Sequence, residues 1–422
     1  MADIGSDMSN AKLMMVCLVA AMGGLLFGYD WVVIGGAKPF YEPYLGIAGD
    51  ASAWKSGFAM SSAVLGCIAG AVGLGWFPDR LGRKPSLVVA AGFFTASAVW
   101  TALVTGYWSF IAARVLGGLG IGLASNVSPV YIAEVSPPEA RGRLVSVNQL
   151  TIVLGIILAQ LVNYVVFRTV AADAWKWRVM FGAEAVPAGL FLALAFFIPE
   201  SPRWRGRGVP AAPQGGSTAP QNTGAAGTRV WAAVALGVFL AAFQQWCGIN
   251  VVFNYAEEIF KAAGYDVSGV MFNQVITGVV NFAFTIAAMC LVDKWGRRPL
   301  MLLGAGGLAA LYSILGGCYF FGVKGVAVLV VVMAAIACYA MTLAPITWVV
   351  LSEIFPDRVR GNAMAVSVAA LWTSCFGLTL TFKPINAALG AAGTFWLYAA
   401  ICVAGFAVVA AFLRETRGRD LE

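Results

Sequence analysis

Residues 23–36 read GGLLFGYDWVVIGG and set one carboxylate, Asp30, in a stretch otherwise suited to lipid. An ionised aspartate at the centre of a bilayer costs at least a few kcal/mol, ~10 or more in some estimates. Arg114, in ARVLGG, is a basic residue left inside another apolar run. Opposite charges within about 4–6 Å stabilise one another, so the two are expected to meet. A static ion pair is one outcome. The other is a switch, in which protonation of Asp30 releases Arg114 and lets their segments move. A second constellation, QQWCGIN, gathers Gln244, Gln245 and Asn250 around Gly248. Amides both donate and accept hydrogen bonds, as a neutral polyhydroxyl ligand requires. On an unbroken helix Asn250 lies about 140° round from Gln245. Unwinding at Gly248 brings all three towards one cavity, as broken helices do in transporters. Amides that merely hold helices together are the competing reading.

Other chemistries are excluded by what the chain lacks. It has no histidine, which removes His-ligated metals, His-activated nucleophiles and His proton relays. The eight cysteines fall in apolar segments without a CxxC pair and read as small buried hydrophobes. No nucleophile–base pair, metal cluster or phosphate-binding loop is present, so neither an enzyme nor a cofactor is expected. The net charge of +7 sits in short clusters between apolar runs, a pattern of membrane topology rather than of a nucleic-acid groove.

These residues need a membrane scaffold. The chain is 60% hydrophobic and 11% charged, against about 25% charged for soluble domains. Apolar runs of about 20 residues match a hydrocarbon core of about 30 Å. Twelve are found: 13–34, 56–77, 86–105, 108–132, 144–167, 179–198, 230–255, 269–291, 300–321, 325–351, 362–382 and 394–413. The expected architecture is an all-α membrane protein of twelve transmembrane helices. LGGLGIGLAS (116–125) is the clearest close-packing face. Of the 27 Lys and Arg, eighteen fall on the side that carries both termini, eight on the other, and Arg114 is left over. The positive-inside rule makes the richer side, and both termini, cytoplasmic. MADIGSDMSNAK has two acids before its first lysine, so the first run is expected to be a retained span.

The chain also repeats. DRLGRKP (79–85) returns as DKWGRRP (293–299), EVSPPEARG (134–142) as EIFPDRVRG (353–361), and PESPR (199–203) more weakly as RETRG (414–418). Each echo follows the corresponding span of its half. Two parallel six-helix halves, 1–199 and 230–422, are therefore expected. Residues 200–229, rich in Pro, Gly, Ala and Gln, read as a flexible linker.

GYD, DRLGRK, the Arg114–Gly117–Gly118 run, PESPR, QQWCGIN, DKWGRRP, EIFPDRVRG and ETRGRDLE, in this order, resemble the sugar porter branch of the major facilitator superfamily. The likeness is greatest to bacterial proton-coupled monosaccharide symporters. It implies alternating access in the cell membrane, by a monomer that uses a proton as coupling ion at Asp30, with Arg114. Gln149, Asn281, Trp348 and Trp372 match positions lining the sugar site beside Gln244, Gln245 and Asn250. Asp79, Arg83, Glu134, Arg141, Glu200 and Arg203, mirrored by Asp293, Arg297, Glu353, Arg360 and Glu415, match a salt-bridge network that closes the cytoplasmic side. Ile156, Leu371 and Asn254 depart from the pattern, where two polar residues and an aromatic are common. The linker is shorter than the helical segment usual in such porters. Xylose, glucose, galactose and arabinose all remain open, as do a facilitative uniporter and an inositol-type polyol porter.

Overall fold

The computed structural model describes residues 10–137, 140–205, 223–355 and 359–415, and among them it is helical with no strand. Side chains at 203, 293 and 360 are outside the described set, as are residues 206–222 of the expected linker. Spans 1 to 6 are Asn10–Tyr44, Ala53–Ile68 continuing through a π turn at Ala69–Gly73, Arg83–Leu103, Tyr107–Val135, Arg141–Thr169, and Asp173–Gly182 with Ala185–Ala195. Span 7 is in pieces, Thr223–Trp246, Ile249–Asn254 and Ala256–Ala262. Val267–Trp295 and Arg297–Phe320 are spans 8 and 9, and span 10 is divided into Val326–Met341 and Leu343–Ile354.

The last helix, Arg360–Phe412, differs from expectation by running on for 53 residues. At 1.5 Å per residue this is about 80 Å, far more than one crossing of about 30 Å. Gly390, at φ 68° and ψ 174°, bends it sharply. The helix is thus spans 11 and 12, joined without a loop, and the twelve crossings stand.

Small residues let the helices approach closely, as the 116–125 face suggests. A Cβ on Gly66 of span 2 would stand 2.8 Å from the Gly118 Cα of span 4, and one on Gly70 would stand 3.1 Å from Gly122. Gly28 of span 1 meets the Ile152 carbonyl of span 5 in the same way, and Gly155 of span 5 meets Leu25. Across the two halves, span 2 packs on span 11, span 5 on span 8, and span 1 on the later pieces of span 7. Those seams frame the functional residues.

Candidate functional site

Spans 1 and 4 bring Asp30 and Arg114 together. Each is 1% exposed. One guanidinium nitrogen pairs with Asp30 Oδ1, and Nη2 donates to the Asp30 carbonyl at 3.0 Å. The guanidinium also lies 5.2 Å from the centre of the Phe181 ring in span 6. Asp30 Oδ2 and Arg114 Nε have no hydrogen-bond partner. Beside them Glu184, itself buried, is close enough to interact with both. It sits at the break between the two pieces of span 6. Tyr29 fixes span 1 to the same region by donating to the Met180 carbonyl at 3.0 Å. Glu184 is absent from the sequence-derived site, although FGAEAVPAGL places it in an apolar run where the cost that marks Asp30 applies equally.

The amides of span 7 are joined end to end. Gly248 adopts φ 87°, a left-handed conformation that ends one helix and starts the next. This break lets Asn250 Nδ2 donate to Gln245 Oε1, and Gln245 Nε2 donates on to Gln244 Oε1 at 3.1 Å. Gln244 in turn donates to the Ala344 carbonyl at 3.4 Å, beside the discontinuity of span 10. Asn281 is buried on span 8, and Gln149 is half-buried on span 5. Trp372 is buried against Phe27 and Trp31 of span 1, with ring centres 5.8 and 6.1 Å apart, so it bridges the halves. Trp348 is the outlier of the set at 39% exposed.

At the arginine-rich end the sequence repeat is repeated in three dimensions. Arg83 binds Glu134 through Nε and Nη2, both at 3.1 Å, and Asp79 at 2.9 Å. Arg297 binds Glu353 at 3.1 Å through Nη2. Glu200 accepts from the backbone of Arg83 and Lys84, and Glu415 from that of Arg297 and Arg298. Two orphan amides at a helix start, carrying partial positive charge, are thereby satisfied by a carboxylate. Gly82 (φ 110°) and Gly296 (φ 86°) make the turns that allow it, which explains the shared glycine of DRLGRKP and DKWGRRP. Arg141 departs from the expected pattern of acid–base pairs, since its Nε donates to the Ala133 carbonyl at 2.9 Å. These pairs tie helices within a half. Arg203, Asp293 and Arg360 lie outside the described side chains.

A cluster that joins the halves lies at the opposite end. Lys38 of span 1 pairs with Glu258 and approaches Glu257 at 3.6 Å, both on span 7, and Glu42 at 3.8 Å. Lys383 of span 11 reaches Glu42 at 3.2 Å and Ser56 of span 2 at 2.9 Å. Lys38 is only 2% exposed, so this lysine, one of the eight basic residues counted on the poorer side, is buried in the cluster. Nothing in the spacing of these residues announces their convergence; only the packing of span 1 on span 7 and span 2 on span 11 creates it.

Comparison with known proteins places this arrangement. The "Sugar (and other) transporter" family profile matches residues 16–206 and 219–422. The D-xylose-proton symporter of Escherichia coli K12 is 35% identical over 99% of this chain and 96% of its own length. The galactose-proton symporter of the same organism is also 35% identical, over 98% and 94%. The glucose facilitated diffusion protein of Zymomonas mobilis is 32% identical, over 99% and 98%. The inward-open structure of the E. coli xylose transporter superposes with a TM-score of 0.84 at 35% identity, covering 97% of this chain and 98% of that one. The twelve helices, the two repeated halves and these matches make the chain a multi-spanning membrane protein of the sugar transporter family, in the major facilitator superfamily, and not an enzyme.

Proposed function

We propose that this protein imports a neutral monosaccharide together with a proton by alternating access, acting as a monomer with both termini in the cytoplasm. The observation that carries the reading is the buried contact of Asp30 with Arg114, next to Glu184, with the adjoining Trp31 packed on Trp372 of the other half. With Asp30 ionised, Arg114 holds span 1 to span 4. A proton entering from outside neutralises Asp30, frees the guanidinium for Glu184, and loosens span 1. The sugar is held by hydroxyl contacts to Gln244, Gln245, Asn250, Asn281 and Gln149, with Trp372 and Trp348 as aromatic faces. Rocking of the halves then exposes both cargoes to the cytoplasm, where the proton leaves and the ion pair reforms. No cofactor takes part, and the coupling ion is the proton alone.

Uptake into proteoliposomes tests this, scanning labelled xylose, glucose, galactose, arabinose and inositol with and without an imposed pH gradient. Accumulation of one sugar above equilibrium, only when the outside is acidic, is the expected result. Asp30→Asn should abolish that accumulation and leave counterflow intact. Uptake indifferent to the gradient in the unaltered protein would instead make it a facilitative carrier.

A further inference from the structure

A tier of amides lies one helical turn beyond the proposed sugar layer, towards the end bearing Lys38 and Lys383. Residues four apart share a helix face. Gln160 is four beyond Ile156, the place where an expected amide is missing; Asn254 is four beyond Asn250; Thr277 is four before Asn281 on a helix running the other way. Gln274, seven before Asn281, continues the same face. All four are at most 3% exposed.

Two of them are joined across the seam of the halves. Gln160 Nε2 of span 5 donates to the Thr277 hydroxyl of span 8 at 3.2 Å. One turn along, Asn163 Nδ2 donates to the Val33 carbonyl of span 1 at 3.2 Å. The neighbouring Gly35 is close to the backbone of Asn254, and a Cβ added to it would stand 3.0 Å from the Asn254 carbonyl oxygen. Gln160 Oε1, Asn163 Oδ1, Asn254 Oδ1 and Gln274 Nε2 are buried without a hydrogen-bond partner. Each such atom has given up its bond to water without gaining another, which weighs against the fold. Amides serving only to glue helices would have their bonding capacity met, and these do not. They offer acceptors and a donor, with no charge among them, at a seam that must part during alternating access.

We propose that this tier is an outer sugar subsite, which takes up the hydroxyls of a neutral monosaccharide before it reaches the span 7 amides and which sets part of the selectivity. The proposal rests on the sugar-import reading above and on its assignment of the Lys38 end to the outside. Gln160 puts an amide one turn outward of Ile156 on the same helix.

The test is sugar flux in proteoliposomes of known orientation, comparing Gln160→Leu, Gln274→Leu and the near-isosteric Thr277→Val with the unaltered protein. The expected result is a KM for sugar at the outer face raised roughly three- to tenfold per group removed, with the KM at the inner face unchanged. Within a panel of monodeoxy analogues, the one lacking the hydroxyl that meets Gln160 should be insensitive to Gln160→Leu. Equal KM changes at both faces, or the same loss for every analogue, would overturn the subsite in favour of a packing role. Thr277→Val guards against misfolding of the leucine variants, and an unchanged outer KM in a folded sample of it and of both others overturns the subsite alone. An unaltered protein that moves no sugar overturns the import reading, and the subsite with it.

Discussion

At the scale of single residues, the centre of the molecule is governed by the cost of charge in a dry interior. Arg114 meets Asp30 twice, through the carboxylate and the backbone carbonyl. Removing one partner of a buried pair costs about 3–5 kcal/mol because the other charge is left uncompensated. Arg114→Ala should therefore lower the melting temperature in detergent markedly, and Asp30→Asn in the same chain should restore much of the loss. A double variant as unstable as Arg114→Ala alone would mean that the guanidinium is held by something other than Asp30. Glu184→Gln should leave counterflow in place while reducing accumulation against a gradient; an unchanged accumulation ratio would remove Glu184 from the proton path. The Asp30–Arg114 contact was legible in the sequence because two opposite charges in separate apolar runs have few other ways to be tolerated. Glu184 obeyed the same rule and was as visible. Lys38 was not, since a lysine near the end of a span reads equally well as a solvated topology signal, and only tertiary packing distinguishes the two.

Among the elements, functional positions coincide with interruptions in helices. Span 7 breaks at Gly248, span 10 at Thr342 and span 6 at Glu184. The first break was foreseeable, because a glycine stands among three amides that a continuous helix would separate. The break of span 10 was not, and the loopless joining of spans 11 and 12 was hidden by Lys383, Pro384 and Asn386, which interrupt the apolar run and read as a connection between 362–382 and 394–413. Gly248→Ala tests what the span 7 break does. Its φ of 87° is strained for any residue with a Cβ, and the added atom would lie 2.8 Å from the Tyr398 ring. A penalty of about 1–3 kcal/mol is expected, relieved by straightening that turns Asn250 away from Gln245. The readout is sugar-induced thermal stabilisation, which should shrink or vanish in the variant. A full-sized sugar shift would show that the amides bind without help from the break.

The whole molecule is held differently at its two ends. At the arginine-rich end, Arg83 with Glu134 and Arg297 with Glu353 brace each half internally, and Glu200 and Glu415 cap the helix that follows each motif. At the other end, Lys38 and Lys383 reach across from one half to carboxylates of the other. In the alternating-access cycle proposed above, such bracing preserves each half as a body, and the cross-links bias which end stays shut. Lys383 bonds both Glu42 and Ser56, so Lys383→Ala leaves the buried Glu42 carboxylate with only the Ser56 hydroxyl and Lys38 at 3.8 Å, and weakens the tie between the halves. Every 1.4 kcal/mol withdrawn from the closed state shifts the populations about tenfold. Hydrogen–deuterium exchange should therefore rise in residues 33–44 and 249–262 of the variant, while the braced start of span 3, residues 83–90, keeps its protection. If exchange rose equally at both ends, the substitution would have loosened the fold rather than released a gate. If it rose at neither, the lysine cluster would have no part in holding that end closed.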